Sequence, residues 1–123
     1  MYEIKVLAEF SSAHHLRHYQ GKCENVHGHN WKIEVSVAAS ALNRQGLVID
    51  FHDLKKYVNG VLDELDHRNL NDLAYFKKVN PTSENIAKYI HDRLRGLKAA
   101  ALQRRLKVTV WESDRACATY SRA

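Results

Sequence analysis

Cysteine and proline are scarce in this 123-residue chain, which has two cysteines and one proline. Two cysteines are too few for the disulfide framework of a small secreted domain, and they suit a reducing compartment. The sequence has no apolar run long enough to span a bilayer. Its first ten residues alternate apolar and charged side chains, unlike a secretory signal. We therefore expect a cytoplasmic protein that does not enter a membrane.

Internal repeats, low-complexity segments and linkers are also missing. Hydrophobic residues make up 45% of the chain and charged residues 27%, a balance that predicts an ordinary globular core. A chain of this length suits one core. We expect a single domain over residues 1–123.

The net charge of +5 allows two kinds of partner. It permits nucleic-acid binding, but the basic residues are scattered, many alternate with acidic ones, and no aromatic-rich RNA-binding signature accompanies them. A mild positive field also attracts a small polyanionic substrate. Composition alone leaves both open.

Two-residue alternation of apolar and polar side chains predicts three strands. Their apolar faces are Ile4, Val6, Ala8 and Phe10; Trp31, Ile33, Val35 and Val37; and Leu106, Val108 and Val110. The short run Leu47-Val48-Ile49 is predicted to return as a hairpin partner, and the tail from Ala116 to Arg122 to add an edge strand.

Helical spacing of apolar residues predicts two helices, one after Asp50 and one after Thr82-Ser83. Their stripes are Leu54, Tyr57, Val58, Val61, Leu62 and Leu65, and Ile86, Ile90, Leu94 and Leu97, all assigned to the core. The order of elements favours an α+β fold with the helices on one face of an antiparallel sheet. Two long loops, 11–26 and 67–81, hold or adjoin most of the chemically reactive side chains.

The segment His27-Gly28-His29 is the strongest local signal for a metal site. On a strand, residues two apart point to the same side, so both imidazoles can reach one ion. A catalytic zinc takes three protein ligands and keeps one position open, and His14, His15 and His18 on the preceding loop could supply the third. Cys23 could instead close a structural three-His, one-Cys site. The same segment is also compatible with an ordinary polar loop.

Three further side chains could take part in chemistry. Asp66 could orient His67, and His67 could activate the Cys23 thiol, although by themselves the first two are explained more simply as a helix-end cap and a surface histidine. Glu112 continues the parity of the buried face of the third predicted strand. A carboxylate there could bind an amidine-like N–C–N edge, or it could turn into solvent at a frayed strand end.

Six segments in order resemble the 6-pyruvoyltetrahydropterin synthase / 6-carboxytetrahydropterin synthase family. They are Phe10-Ser-Ser-Ala-His14, Cys23-x-x-x-His27-Gly-His29, Gly46-Leu-Val-Ile-Asp50-Phe-x-Asp-Leu-Lys55, Leu65-Asp-His67-x-x-Leu-Asn71, Asn80-Pro-Thr-Ser-Glu84 and the strand-end Glu112. They span nearly the whole chain. The resemblance implies the tunnelling fold, a four-stranded antiparallel sheet with two helices on one face, in trimers that pair into homohexamers with sites between subunits.

The resemblance also implies roles for individual residues. His14, His27 and His29 match the family's zinc ligands, and Cys23, Asp66 and His67 match its proton-transfer triad. Glu112 matches the carboxylate that anchors the pterin ring, and Thr82 and Ser83 match a turn that helps to hold the same ring.

The implied reaction is conversion of 7,8-dihydroneopterin triphosphate to 6-carboxy-5,6,7,8-tetrahydropterin, with release of acetaldehyde and triphosphate. The branch of the 7-deazaguanine (queuosine) route looks most similar, since it shares the three-residue gap between the cysteine and His-Gly-His. The alternatives are the pyruvoyl branch, which releases no acetaldehyde, and a zinc-stabilised module without catalysis that binds nucleic acid.

Overall fold

The computed structural model describes residues 1–21 and 24–123, which form one antiparallel sheet and a layer of helices. The strands are β1 (Tyr2–His14), β2 (His27–Ala39), β3 (Arg105–Ser113) and β4 (Ala116–Ser121), in the spatial order β1-β2-β3-β4. The predicted α+β class with four antiparallel strands is confirmed, and the tail does form the edge strand. The order leaves β1 and β4 at the two edges of the sheet.

The register of the sheet places the end of β1 beside the start of β2. Tyr2 pairs with Ala39 at one end of the β1–β2 ladder, and His14 pairs with His27 at the other. The metal-ligand candidate His14 therefore belongs to a strand and not to the loop in which the sequence placed it. Strand β3 continues the sheet from Arg105 opposite Ala38 to Trp111 opposite Lys32. A register shift between Trp111 and Ser113 marks a β-bulge at Glu112.

Both predicted helices are present, and each begins at a side-chain cap. Helix α1 (Phe51–Leu62) begins after Asp50, whose carboxylate accepts the His52 amide at 2.7 Å. The loop that follows contains the short helix α2 (Ala74–Lys78) and a turn of 3₁₀ helix at Leu70–Asp72. Helix α3 (Ser83–Gly96) begins after Thr82, whose hydroxyl accepts the Asn85 amide. These caps satisfy amide groups that the first helical turn leaves free.

The core lies between the sheet and the helices. Helix α3 packs on β3 and β4, and α1 packs on β1. The predicted apolar faces of β2 and β3 are fully or almost fully buried, as are Leu54, Ile86 and Ile90 of the helices. In the described part of the chain, no helix has both the length and the apolar character needed to cross a membrane.

Two local predictions are wrong. Leu47-Val48-Ile49 forms no strand, because the Asn43 side chain accepts the Gln45 and Leu47 amides and closes a turn that leads directly to the cap of α1. Leu97 lies beyond the end of α3 and is 42% exposed, outside the core. Within α3, His91 is buried against the ring of Tyr120 and bonds Asp92.

Candidate metal centre and its surroundings

Three histidines converge where β1 ends and β2 begins. The ring centroids of His14, His27 and His29 lie 4.7 to 5.1 Å apart. Antiparallel pairing places His14 opposite His27, and the two-residue period of β2 brings His29 to the same side. The structure thus brings together the three ligands that the family resemblance implied.

Backbone carbonyls orient two of these rings. The Nδ1 of His14 donates to the Pro81 carbonyl at 2.7 Å, and the Nδ1 of His27 donates to the Asn25 carbonyl at 2.8 Å. A carbonyl only accepts, so each Nδ1 carries the proton and each Nε2 of a neutral ring carries a lone pair. Histidine ligands of metals are commonly oriented in this way.

The two Nε2 atoms of His14 and His27 face each other at 3.1 Å. Two lone pairs at that distance repel each other unless a cation or a proton lies between them. Two nitrogens bound to one tetrahedral zinc at the usual bond length would lie about 3.3 Å apart. The Nε2 of His29 is buried and has no hydrogen-bond partner within residues 1–21 and 24–123. The donor set therefore fits a divalent cation such as zinc.

Burial favours the neutral form of His14. Its side chain is almost fully enclosed, and desolvation is the main cause that lowers the pKa of His14 below its ordinary value. The neighbouring His27 lowers the pKa further, while the hydrogen bond to Pro81 opposes the shift. A neutral imidazole is the form that binds a metal.

Glu112 borders the three histidines from β3. Its Oε1 lies 3.6 Å from the Nε2 of His29, and its Oε2 accepts a hydrogen bond of 3.2 Å from the Ser83 hydroxyl. The ligand atoms of the three histidines and Glu112 all lie within 4.8 Å of one another. Glu112 could thus be a fourth metal ligand or a carboxylate that faces a substrate beside the metal. The strand parity placed it on the correct side.

Two features of this centre were not found from the sequence as parts of a site. Trp31 forms its floor, with ring centroids 4.9 Å from His14 and 5.1 Å from His29. Pro81 supplies the carbonyl that orients His14, two residues before Ser83. Alternation gave Trp31 only a packing role. The Pro81 contact joins residues 67 positions apart, which no local pattern reveals.

Asp66 and His67 form a hydrogen-bonded pair. The His67 Nδ1 lies 2.8 Å from the Asp66 carboxylate, and the same carboxylate accepts the Ser11 amide at 2.9 Å. The His67 amide in turn donates to the Ser11 carbonyl at 2.6 Å, with φ of 55° at His67. The Ser11 amide bond is the main cause that lowers the pKa of Asp66, followed by the bond to His67. The C-cap of α1 is Asp63, and the Asp66 carboxylate instead joins His67 to β1.

The loop after β1 is held by two asparagines. Asn71 accepts the His15 amide and donates to the His15 carbonyl, and Asn80 does the same for Arg17. The His15 Nε2 lies 3.5 Å from the Asn71 side-chain nitrogen, and His15 is not in the group of ligand atoms formed by His14, His27, His29 and Glu112. Cys23, the predicted thiol, lies outside the described residues.

Comparisons with known proteins agree with this geometry. The model of the family described as "6-pyruvoyl tetrahydropterin synthase" matches residues 3–123. The chain is 40% identical over 104 residues to the human 6-pyruvoyl tetrahydrobiopterin synthase, covering 81% of this chain and 70% of that protein. It is 41% identical over 108 residues to a dihydroneopterin monophosphate aldolase of Pyrococcus furiosus, with 87% and 86% covered.

Two further comparisons concern the branch and the fold. A putative 6-carboxy-5,6,7,8-tetrahydropterin synthase of Archaeoglobus fulgidus is 41% identical over 91 residues, 74% of each chain. The structure of the Caenorhabditis elegans 6-pyruvoyl tetrahydropterin synthase superimposes with a TM-score of 0.87 at 32% identity, covering 99% of this chain and 96% of that one. These findings confirm the resemblance read from the six segments and the tunnelling fold that it implied.

Proposed function

Because the chain belongs to the 6-pyruvoyl tetrahydropterin synthase family, we propose that it is a zinc-dependent carbon–carbon lyase of the 7-deazaguanine route. It converts 7,8-dihydroneopterin triphosphate and water to 6-carboxy-5,6,7,8-tetrahydropterin, acetaldehyde and triphosphate. The observation that carries the proposal is the convergence of three imidazoles beside a carboxylate, with two Nε2 atoms 3.1 Å apart. A cytoplasmic location is part of the same proposal.

In this proposal His14, His27 and His29 hold the zinc, and one position stays open for the substrate. When bound, zinc supplies Lewis-acid polarisation of the substrate's side-chain oxygens, which makes the neighbouring C–H bonds more acidic. The carbonyls of Pro81 and Asn25 keep the Nε2 atoms of two ligands aimed at the metal. The buried Trp31 excludes water from one side of the centre.

Glu112 anchors the pterin ring in the same proposal. Its carboxylate can accept two hydrogen bonds from the N–C–N edge of a pterin, and the Ser83 hydroxyl fixes its orientation. A pocket of about 250 Å³ lies beside it, lined by Ser83, Glu112 and Cys117 among others. Thr82 caps α3 and thereby sets the position of Ser83 at the first turn.

Proton transfer is assigned to Cys23, Asp66 and His67. An aspartate is ionised at neutral pH, and the Ser11 amide and His67 lower the pKa of Asp66 further. Its carboxylate accepts a hydrogen bond from the Nδ1 of His67. This leaves the Nε2 of His67 free to exchange a proton with the Cys23 thiol or with substrate. The carboxylate also stabilises the imidazolium that forms when His67 takes up a proton.

The proposal includes a homohexamer of two trimers with active sites between subunits. Two observations support it: β1 and β4 are unpaired edges among the described strands, and the His67 side chain is 83% exposed in the single chain. Pairing of β4 with β1 of a second copy would remove both edges, which folded proteins otherwise have to protect. Light scattering on the purified protein tests the stoichiometry, and a monomer would contradict it.

The deciding experiment is anaerobic incubation of the zinc-loaded protein with 7,8-dihydroneopterin triphosphate, with pterin products and acetaldehyde followed together. We expect a carboxylated tetrahydropterin and one equivalent of acetaldehyde. A pyruvoyl product without acetaldehyde would assign the chain to the sister branch. The similarity to the P. furiosus aldolase makes dihydroneopterin monophosphate the second substrate to test, with glycolaldehyde phosphate as the fragment released by carbon–carbon cleavage of its side chain.

A Cys23→Ala variant separates the enzyme from a zinc-stabilised binding module. We expect the variant to keep its zinc and fold and to lose turnover. Loss of both zinc and fold would instead make Cys23 a structural ligand. Salt-dependent RNA or DNA binding without pterin chemistry would then favour the module.

A further inference from the structure

A large cavity in the described part of the chain lies far from the three histidines. It has a volume of about 770 Å³ and opens where β1 and β3 begin and where β2 and β4 end. Strand β1 runs from this end at Tyr2 to His14 at the other, 13 residues or about 40 Å of extended chain. A substrate held at the histidines of the same chain does not reach this cavity.

Cationic side chains dominate the lining of the cavity. Five of them, Arg95, Arg104, Arg105, Lys107 and Arg122, face one side-chain carboxylate, that of Glu3. Met1 and Ala123 also line it. Five cationic side chains and one carboxylate leave a surplus of four positive charges (5 − 1), close to the net charge of +5 of the whole chain. The positive charge, which looks scattered in the sequence, is therefore concentrated by the fold.

The carboxylate of Glu3 pairs with a lysine and with none of the arginines of the cavity. Glu3 lies 3.3 Å from the ammonium group of Lys107. None of the four arginines has an ion-pair partner within the part of the chain that the structure describes. Arginine side chains bind phosphate oxygens through paired N–H groups, and unpaired ones in a concave site are well suited to this.

One of the arginines is held in place by the backbone. Arg95 donates from Nη1 to the carbonyls of Gln103 and Arg104, and Gln103 donates back to the Arg95 carbonyl at 2.7 Å. These bonds fix the guanidinium at the rim and leave its other N–H groups available. They also fix the start of β3, where Arg105 follows.

We propose that this cavity binds a small molecule carrying two or more phosphate groups, separately from the site at the histidines. A cavity of this volume suits a small ligand. Its concave shape, at the end of α3 and at the ends of the strands, favours a compact anion over a long nucleic-acid strand. The proposal stands on the lining of the cavity and does not depend on the reaction assigned above.

Calorimetric titration of the zinc-loaded protein with inorganic triphosphate tests the proposal. The variant pair Arg104→Ser with Arg122→Ser removes two exposed cations of the cavity. The control pair Lys77→Ser with Lys78→Ser removes the same charge from exposed positions on α2. We expect the first pair to weaken the affinity at least tenfold and the second less than threefold. The affinity should also fall between 50 and 200 mM salt.

A His27→Ala variant keeps the two sites apart, because triphosphate bound at the cavity should survive this change. The proposal is overturned if the arginine pair binds as the unchanged protein does, if both pairs lose affinity equally, or if His27→Ala abolishes binding. Single-stranded RNA that binds more tightly than triphosphate, and is lost with the same arginines, would also overturn it in favour of a nucleic-acid surface. Turnover of the arginine pair is measured independently and is expected to be unchanged.

Discussion

Removal of one imidazole from the candidate metal centre should abolish the stabilisation of the fold by zinc. We choose His27→Ala because His27 lies at the start of β2 and is only partly buried, whereas truncation of the buried His14 would also leave a cavity. A ligand that binds only the folded state stabilises it by about 2.7 kcal/mol when present at 100 times its Kd. For a chain of this size, that corresponds to a rise in Tm of roughly 10 °C.

The assay is thermal unfolding of the metal-free protein and of the protein with excess zinc, at one fixed protomer concentration, with metal content measured in parallel. We expect the unchanged protein to show the rise and His27→Ala to show almost none. Glu112→Gln is the control, because it keeps the shape and the Ser83 contact but removes the charge. With Glu112 as substrate anchor, its rise should match that of the unchanged protein. A full rise in His27→Ala would refute the three-histidine site, and loss in Glu112→Gln would make Glu112 a ligand.

The other predictions concern the framework of the fold. Glu64→Gln should cost up to about 1 kcal/mol at pH 7, because exposed pairs with arginine contribute little. The hydrogen bond from Arg93 lowers the pKa of Glu64, so in urea unfolding the difference from the unchanged protein should shrink as the pH falls below the ordinary value of 4.5 and vanish once the pH is below the lowered pKa. Asn80→Ala leaves the Arg17 amide and carbonyl without partners and should cost about 1–3 kcal/mol, with faster hydrogen exchange at Arg17 as the local readout. Ile90→Ala should cost about 2–5 kcal/mol in urea unfolding, and a loss below 1 kcal/mol would contradict its place in the core.

The sequence predicted the secondary structure well where apolar residues recur at a regular spacing or where a side chain caps the start of a helix. The alternation of Trp31, Ile33 and Val35 depends only on the strand pleat, and the cap at Asp50 depends only on neighbouring amides. Both are local, so one chain is enough to see them. The prediction failed at Leu47-Val48-Ile49, where three apolar residues are too few for a period and the Asn43 turn decides the backbone.

Some residues of the candidate site could likewise be predicted from local patterns, and others could not. The pair His27 and His29 and the side of the strand that carries Glu112 follow from the two-residue period. The choice of His14 over its neighbours came from the family resemblance. The structure supplies its physical basis, since His14 pairs with His27 while His15 turns to Asn71.

By itself, then, the sequence determined the class of fold, the helix starts and the residue types available for a metal site, because these depend on neighbours along the chain. Only the tertiary structure decided which side chains meet. The register places His14 against His27, the Pro81 carbonyl fixes the His14 ring from 67 residues away, and the ends of the strands gather the scattered arginines around one cavity. Contacts of that kind depend on how distant segments pack, and no local pattern in the chain specifies them.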